Sequence, residues 1–297
     1  MSVGLADPLL TAFIEQGANI SIEVAPYLWS DLVARRTALG LSANDLSALL
    51  RIEPGKYRSR ESGAREVGPH LVGELIKMEA FVACEAATLV AAAPVAGAVV
   101  LQAATEHAAF IDGRPDAVTT LHRDPYPLVL QHVAVGRAAG ALSRAGRDVE
   151  VHRGARRFDL AARRLAVGLG KNQASTLFRI GEKSYYNAER GAKPPQAGLI
   201  AELQAIDDFI ASTATELEWV DSDSVREIVM LDDQDLFERK YPRARTRRDG
   251  VPYPCLVHAV CAARLAGELE AAGMSVRVVV DVNEYRGGTD HSADHSS

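Results

Sequence analysis

The fold of this chain is decided by residues 32–83, LVARRTALGLSANDLSALLRIEPGKYRSRESGAREVGPHLVGELIKMEAFVA, because the same pattern occurs a second time. Residues 160–211 align with this segment at a constant offset of 128 without a gap, and 21 of the 52 aligned positions are identical. The similarity resumes at an offset of 127, where Tyr126-Pro127 aligns with Tyr253-Pro254. This duplication predicts two domains of about 128 residues each in the 297-residue chain.

Each copy has a helical front part and a mixed back part. In copy one, Ser42 is a suitable N-cap, Pro54 suits the first position of a helix, and Gly63 suits its end. In the back part, apolar stretches such as residues 99–101 and 149–151 are typical of strands, and a loop followed by a long Ala-rich helix lies between them. We therefore expect an α+β fold, mainly α, with a four- or five-helix helix-turn-helix domain and a strand–helix–strand module in each copy.

The predicted boundaries follow from the duplication. Residues 1–25 have no counterpart and are taken as an N-terminal extension, and the polar tail 284–297 has a composition typical of disorder. The other predicted ranges are copy one at 26–152, with its helical part at 29–83 and its module at 97–152, and copy two at 153–283, with its helical part at 157–211 and its module at 225–283.

The composition is that of an ordinary globular protein, with 47% hydrophobic and 24% charged residues. Three cysteines without framework spacing favour a reducing compartment, and no signal peptide is recognisable, so we expect a cytoplasmic, nucleoid-associated protein. The Ala/Val-rich stretch 86–101 is not expected to cross a membrane, because Pro94 and Gly97 interrupt it and its counterpart in copy two is rich in charged residues.

Positive charge is concentrated in the duplicated helical segments, although the net charge of the chain is −6. Between residues 156 and 198 there are nine basic and three acidic residues, and between 51 and 65 there are five basic and two acidic ones. Such a local surplus is the electrostatic pattern expected of DNA contact, and a solvated charged face produces the same pattern.

Two short helices joined by a four-residue turn, the second ending in Glu-x-Gly, carry a resemblance to a known family. In both copies the pattern Leu-x-x-Arg-Arg-x-x-x-Gly-Leu, followed by Tyr-x-x-x-Glu-x-Gly, resembles the XRE/Cro-C1 helix-turn-helix regulators. The complete unit also resembles small YdiL-like and anti-CRISPR-associated regulators, whose Phe-x-x-x-Tyr-Pro-like loop is matched by residues 237–242. The resemblance implies a double-stranded DNA operator as the partner and a role as a transcriptional repressor.

The expected DNA contacts lie on the outward face of the second helix of each pair, where short polar or basic side chains reach base edges in the major groove. These positions differ between the copies, whereas the neighbouring Tyr57 and Tyr185 are identical; a merely tolerant surface would diverge in the same way. The expected base contacts are Lys56, Arg58 and Ser59 in copy one and Lys183, Ser184, Tyr186 and Asn187 in copy two, with Arg65 and Lys193 as expected phosphate contacts.

The resemblance also implies one structural ion pair in each copy. Arg36 is expected to pair with Glu61, and Arg164 with Glu189, so that each pair fixes a helix angle and does not contact DNA. A fused tandem is then expected to bind an asymmetric operator as a covalent pseudo-dimer, with its two back halves paired around a pseudo-two-fold axis.

Other functions have weaker support. The alternative is a protein-interaction module, such as an antitoxin or adaptor, and self-association or a protein partner stays open. Cys255-x-x-His258-x-x-Cys261 has metal-like spacing, but core packing is the better interpretation, so we expect no metal and no cofactor. No catalytic motif is present, and an enzyme is not expected. The basic loop 239–248 is either an additional backbone contact or a solvated loop.

Overall fold

A computed structural model describes residues 27–196, 198–222 and 225–280. Within these ranges the fold is α+β and mainly helical, which confirms the predicted class. The expected extension at 1–25 and the expected disordered tail at 284–297 lie outside the described residues. Among the helices described, none is long and apolar enough to cross a membrane.

The same order of elements occurs twice, at the offsets found in the sequence. Copy one contains α1 (Trp29–Ala38), α2 (Ala43–Leu49), α3 (Pro54–Glu61), α4 (Pro69–Ala91), β1 (Val99–Ala103), α5 (His107–Gly113), α6 (Val129–Arg144) and β2 (Val149–Arg153). The short strand β3 (Arg156–Arg157) follows, and copy two contains α7 (Asp159–Ala166), α8 (Lys171–Leu177), α9 (Glu182–Glu189), α10 (Leu199–Glu216), β4 (Trp219–Ser222), β5 (Val225–Met230), α11 (Gln234–Lys240), α12 (Leu256–Ala271) and β6 (Val276–Val280).

The short helices α5 and α11 lie in a segment that the sequence predicted as a loop, and that prediction was wrong. In copy two the Asp233 carboxylate accepts a hydrogen bond from the Leu236 backbone N–H, which caps the start of α11. Phe110 in α5 and Phe237 in α11 are buried, so each short helix is held by one aromatic anchor in the core of its copy.

Each copy builds its own small sheet around one parallel strand pair. Val99 of β1 lies opposite Val149 of β2, and Arg226 of β5 lies opposite Val276 of β6, so both pairs have the same register. The third strand differs: β3 pairs antiparallel with β2, whereas β4 pairs antiparallel with β5. The duplicated parallel pair is therefore extended on opposite edges in the two copies.

The two copies meet front to back, which differs from the expected pairing of their back halves. Helix α1 of copy one packs on α12 and β6 of copy two, and α7 of copy two packs on α6 and β2 of copy one. The largest hydrophobic cluster accordingly contains Ala34 and Ala38 of α1 together with the core of copy two. The reason is that the apolar faces of the long helices are covered by these first helices.

A buried carboxylate at the start of each first helix fixes this front-to-back packing. Asp31 accepts a hydrogen bond of 2.7 Å from the Val278 backbone N–H in β6, and Asp159 accepts one of 2.8 Å from the Val151 N–H in β2. Burial, opposed by Arg35, raises the pKa of Asp31 to about 6. The two bonds occupy equivalent positions, so each copy's first helix docks on the other copy, while α4 stays on α6 and α10 stays on α12 of its own copy.

A buried ion cluster joins the copies on one side. The Arg35 guanidinium in α1 donates hydrogen bonds to Glu79 of α4 at 2.6 Å and to Glu270 of α12 at 2.7 Å. The equivalent Arg163 has neutral partners instead, Gln204 and Ser143. Burial raises the pKa of Glu79 to about 7, although Arg35 opposes the shift.

We expect Gly136→Ala to destabilise the protein, because α6 approaches α7 too closely for a side chain at this position. An added Cβ would lie 2.1 Å from the Ala162 carbonyl oxygen. Overpacking of this kind costs about 1–3 kcal/mol, measured as the free energy of unfolding in urea. Gly267→Ala in α12 is the matched control, since its Cβ would meet no atom within 4 Å and helix propensity favours Ala by about 1 kcal/mol. Equal stability of the two variants would contradict the close crossing.

We expect Glu79→Gln to remove a pH-dependent component of stability. The folded-state pKa of about 7 lies above the ordinary value of 4.5, so the contribution is present below pH 4.5 and is lost as the pH rises through 7. Between pH 4.5 and a pH above 7, the unfolding free energy of the wild type should fall by on the order of 3 kcal/mol more than that of the variant. Urea unfolding at several pH values measures it, with exposed Glu268→Gln as control; parallel profiles for wild type and Glu79→Gln would refute the assignment.

Candidate nucleic-acid interface

The second helix of each pair is anchored by the tyrosine that the copies share. Tyr57 in α3 and Tyr185 in α9 are buried, and the Tyr57 hydroxyl donates to Glu61 at 3.0 Å. Burial, followed by the nearby glutamate, raises the pKa of both tyrosines, so their hydroxyls stay neutral. The four-residue turns before these helices have Arg51 and Arg179 at positive φ, of 53° and 51°. The two turns therefore share one backbone conformation.

The structure contains the two ion pairs that the family resemblance implies. The Arg36 guanidinium pairs with Glu61, and Arg164 pairs with Glu189. Each arginine also donates to the backbone carbonyl that follows its own helix, Leu41 in copy one and Leu169 in copy two. Because each guanidinium joins the first helix, the next turn and the end of the second helix, the pair sets the angle between the helices.

In copy one the predicted contact residues form an exposed polar surface on α3. Lys56 and Arg58 are exposed, Ser59 is half-buried, and Arg65 is exposed beyond the helix. The Arg58 guanidinium donates to the Asn44 side-chain oxygen at 2.9 Å, which orients it along α2. The Ser59 hydroxyl donates to the Gly55 carbonyl within the helix.

In copy two the corresponding surface is centred on one aromatic ring. Tyr186 on α9 is 43% exposed, with the Lys171 ammonium 4.6 Å and the Arg190 guanidinium 5.1 Å from its ring centroid. The other predicted contacts surround this cluster: Lys183, Ser184 and Lys193 are exposed, and Asn187 is half-buried. A ring flanked by two cations presents both a flat apolar face and positive charge.

The N-cap residues of the second helices differ between the copies. In copy one the Glu53 carboxylate accepts from the Gly55 and Lys56 N–H groups at 2.8 and 2.9 Å, and these bonds lower the pKa of Glu53. In copy two the N-cap residues of α8 and α9 are Gly170 and Gly181, and the first turn of α9 contains one carboxylate, Glu182. Between residues 42 and 66 there are five basic and four acidic residues, against five and two between 170 and 194. Copy two therefore has the more positive surface.

Two basic residues of this surface were missed by the sequence reasoning, Lys171 and Arg190. Both lie outside the predicted recognition positions: Arg190 caps the end of α9 four residues after Tyr186, and Lys171 reaches the ring because α8 packs beside α9. A signal was present in the alignment of the copies, since Lys171 corresponds to Ala43 and Arg190 corresponds to Ser62. A gain of charge at both positions marks a difference between two otherwise similar helix pairs.

The basic loop 239–248 is partly tied to the fold. Arg245 pairs with Glu238 at 3.1 Å, and Arg248 pairs with Asp249 and donates to the Phe178 carbonyl at the end of α8. The exposed Arg239 and Arg243 have no such bond within the described part of the chain.

The Cys-x-x-His-x-x-Cys segment is built into the core of copy two. The Leu231 N–H donates to His258 Nδ1 at 3.1 Å, Cys255 Sγ donates to the Leu231 carbonyl, and Cys261 Sγ donates to the Val257 carbonyl. Burial lowers the pKa of His258 to about 4. In the described ranges, no group of three or more His, Cys, Asp or Glu side chains has the arrangement of a metal site.

Comparison with known proteins gives no family assignment. No family model, curated protein or solved structure matches the chain. The function is therefore argued from the geometry of the two helix pairs and from the comparison of one copy with the other.

We expect Glu189→Ala to destabilise the protein more than Glu61→Ala. The side chains of Arg164 and Glu189 are 6% and 4% exposed, whereas those of Arg36 and Glu61 are 18% and 13% exposed. Removal of one partner of a buried pair costs about 3–5 kcal/mol, because the other charge stays buried without compensation. Urea unfolding measures the difference, and Lys183→Ala in the same helix serves as an exposed control. A larger cost for Glu61→Ala would contradict the assigned burial.

Proposed function

We propose that this protein is a sequence-specific DNA-binding regulator, acting as a repressor, in which two helix-turn-helix units of one chain read two different halves of an operator. The XRE/Cro-C1-like sequence pattern in both copies supports the class. The tandem arrangement supports action as a covalent pseudo-dimer.

The observation that carries the proposal is the distribution of identity on α3 and α9. The tyrosines shared by the two helices are buried, whereas the positions that differ are exposed or half-buried, and Arg58 of copy one is exposed at the position equivalent to Tyr186 of copy two. A duplicated scaffold that keeps its core and changes its outward side chains has the form expected of two recognition helices with different base preferences.

The front-to-back packing supports one rigid pair of recognition helices. Because Asp31 and Asp159 tie each front part to the back part of the other copy, neither helix pair is attached by a linker alone. Two recognition helices held by one core are suited to half-sites at a fixed spacing, about 34 Å for successive major grooves.

A protein-interaction role, as an adaptor or antitoxin, is the second candidate, and copy one favours it. Asp45 and Glu53 place carboxylates at the starts of α2 and α3, where a DNA phosphate would otherwise approach the helix dipole. Such a surface suits a basic protein partner better than it suits a nucleic acid.

In vitro selection from a random duplex library with the purified full chain tests the proposal. We expect an enriched site with two dissimilar halves, whose affinity falls as salt rises. Absence of sequence enrichment at every salt concentration would favour the adaptor and reject sequence-specific binding.

We expect Arg58→Ala and Tyr186→Ala to weaken binding to different halves of the selected site. Loss of a good base contact costs about 1–3 kcal/mol, so affinity should fall about tenfold for each variant. In a scan of base substitutions across the DNA site, substitutions in one half should no longer change the affinity of Arg58→Ala. Substitutions in the other half should no longer change the affinity of Tyr186→Ala. If either variant lost base specificity equally in both halves of the site, the two helices would not recognise separate half-sites.

A further inference from the structure

A basic groove lies beside the helix pair of copy two. It is formed by the β2–β3 connection, by α7, and by the ends of α8 and α9 nearest to α7, and it encloses about 980 Å³. Six basic side chains and two acidic ones line it, and Phe158, Ala161 and Leu165 supply an apolar part of its wall. The buried ion pair of Arg164 and Glu189 lies at its base.

Copy one provides an internal control, because its equivalent positions carry no such charge. Arg156, Arg157, Lys171 and Arg190 of the groove correspond to Leu28, Trp29, Ala43 and Ser62. The ion pair beneath them is unchanged, as Arg36 with Glu61. In copy one the Trp29 ring packs against Gly63, and Tyr27 forms a β-bridge with Val67 across the same region. The four charges are therefore additions to a common scaffold.

The charges on the groove rim are only partly neutralised by the protein. Arg157 pairs with Glu150 and Asp159. Lys171 lies 3.9 Å from the Glu189 carboxylate. The exposed side chain of Arg156 has no hydrogen bond or ion pair to any described residue, and the exposed guanidinium of Arg190 contacts the Tyr186 ring without a carboxylate partner. Cations that the fold leaves without carboxylate partners are available to an anion.

The groove continues directly into the proposed recognition surface. Lys171 and Arg190 line the groove and also flank Tyr186. A nucleic-acid strand lying across α9 could therefore run from the Tyr186 ring to Arg156 with basic side chains beside it along the whole path. Phosphates spaced along such a path match a row of cations better than one compact anion does.

We propose that this groove binds a phosphodiester strand, namely the DNA that flanks the half-site read by copy two. The protein would then contact the DNA backbone beyond the operator on one side only. This rests on the proposed DNA-binding function and adds a backbone contact that only one copy provides. Arg156 and Arg190 are assigned as its phosphate contacts.

Arg156→Ser/Arg190→Ser tests the proposal in the full-length chain, with serine at position 190 reproducing the copy-one residue. The probe is a fluorescein-labelled duplex that extends one helical turn beyond the selected site on both sides. The slope of log affinity against log salt should fall by about 2 relative to the wild type, because each phosphate contact contributes about 0.9. The length of DNA protected from hydroxyl-radical cleavage should decrease on one side of the site only. The melting temperature should not change, since both side chains are exposed without acidic partners.

The control is Arg239→Ser/Arg243→Ser, which removes the same charge from exposed positions elsewhere in copy two. Because a contact made by this loop would also lower the salt slope, the footprint decides: the same shortening on the same side of the site in this control would indicate a general charge effect and overturn the groove assignment. An unchanged slope and footprint in the groove variant would also overturn it, while wild-type binding to the selected site would leave the proposed function intact. Binding of ATP at the groove with no change in slope would reassign it to a free nucleotide. Failure of the wild type to bind any duplex would instead reject the proposed function itself.

Discussion

The arrangement of this protein depends on one type of contact, a buried aspartate at the start of a helix that accepts a hydrogen bond from a strand of the other copy. Asp31 holds β6 in this way, and Asp159 holds β2. A carboxylate is stabilised near a helix N-terminus, and the strand N–H gives it a partner that replaces water. Because each of these hydrogen bonds joins one copy to the other, they fix the position of the two helix pairs relative to each other.

Around this contact, the two copies are alike in their hydrophobic cores and differ at their surfaces and at the interface between them. Equivalent strands share one register, and equivalent arginines, Arg137 and Arg264, donate to the carbonyls that end α1 and α7. The differences lie in exposed charges and in the interface between copies, where Arg35 has two glutamates and Arg163 has neutral partners. The core requires complementary shapes and tolerates little drift, whereas surface charge is free to change. Two binding surfaces that differ in specificity can arise in this way, from different surface charges on the same core.

Local chemistry made the front part predictable from the sequence, and tertiary contacts made the rest unpredictable. Ser42, Pro54 and Gly63 mark helix ends by interactions within a few residues, and the alternating strands follow from hydrophobic pattern. The front-to-back exchange leaves no such mark, because the apolar face of a long helix fits either a copy of itself or another helix. Lys171 was missed for the same reason, since its position beside Tyr186 depends on how α8 packs against α9, whereas Arg190 lies four residues after Tyr186 and its contact could be predicted from helix spacing.

The bond between Asp31 and Val278 spans 247 residues of chain, whereas the equivalent bond between Asp159 and Val151 spans eight. During synthesis, the first helix of copy two emerges directly after the strand on which it docks. The first helix of copy one lacks its docking strand until β6, at the end of copy two, has been made. Closing so long a loop belongs to the slow, non-local part of folding. The contact of the first helix of copy one is therefore completed only after copy two has been synthesised.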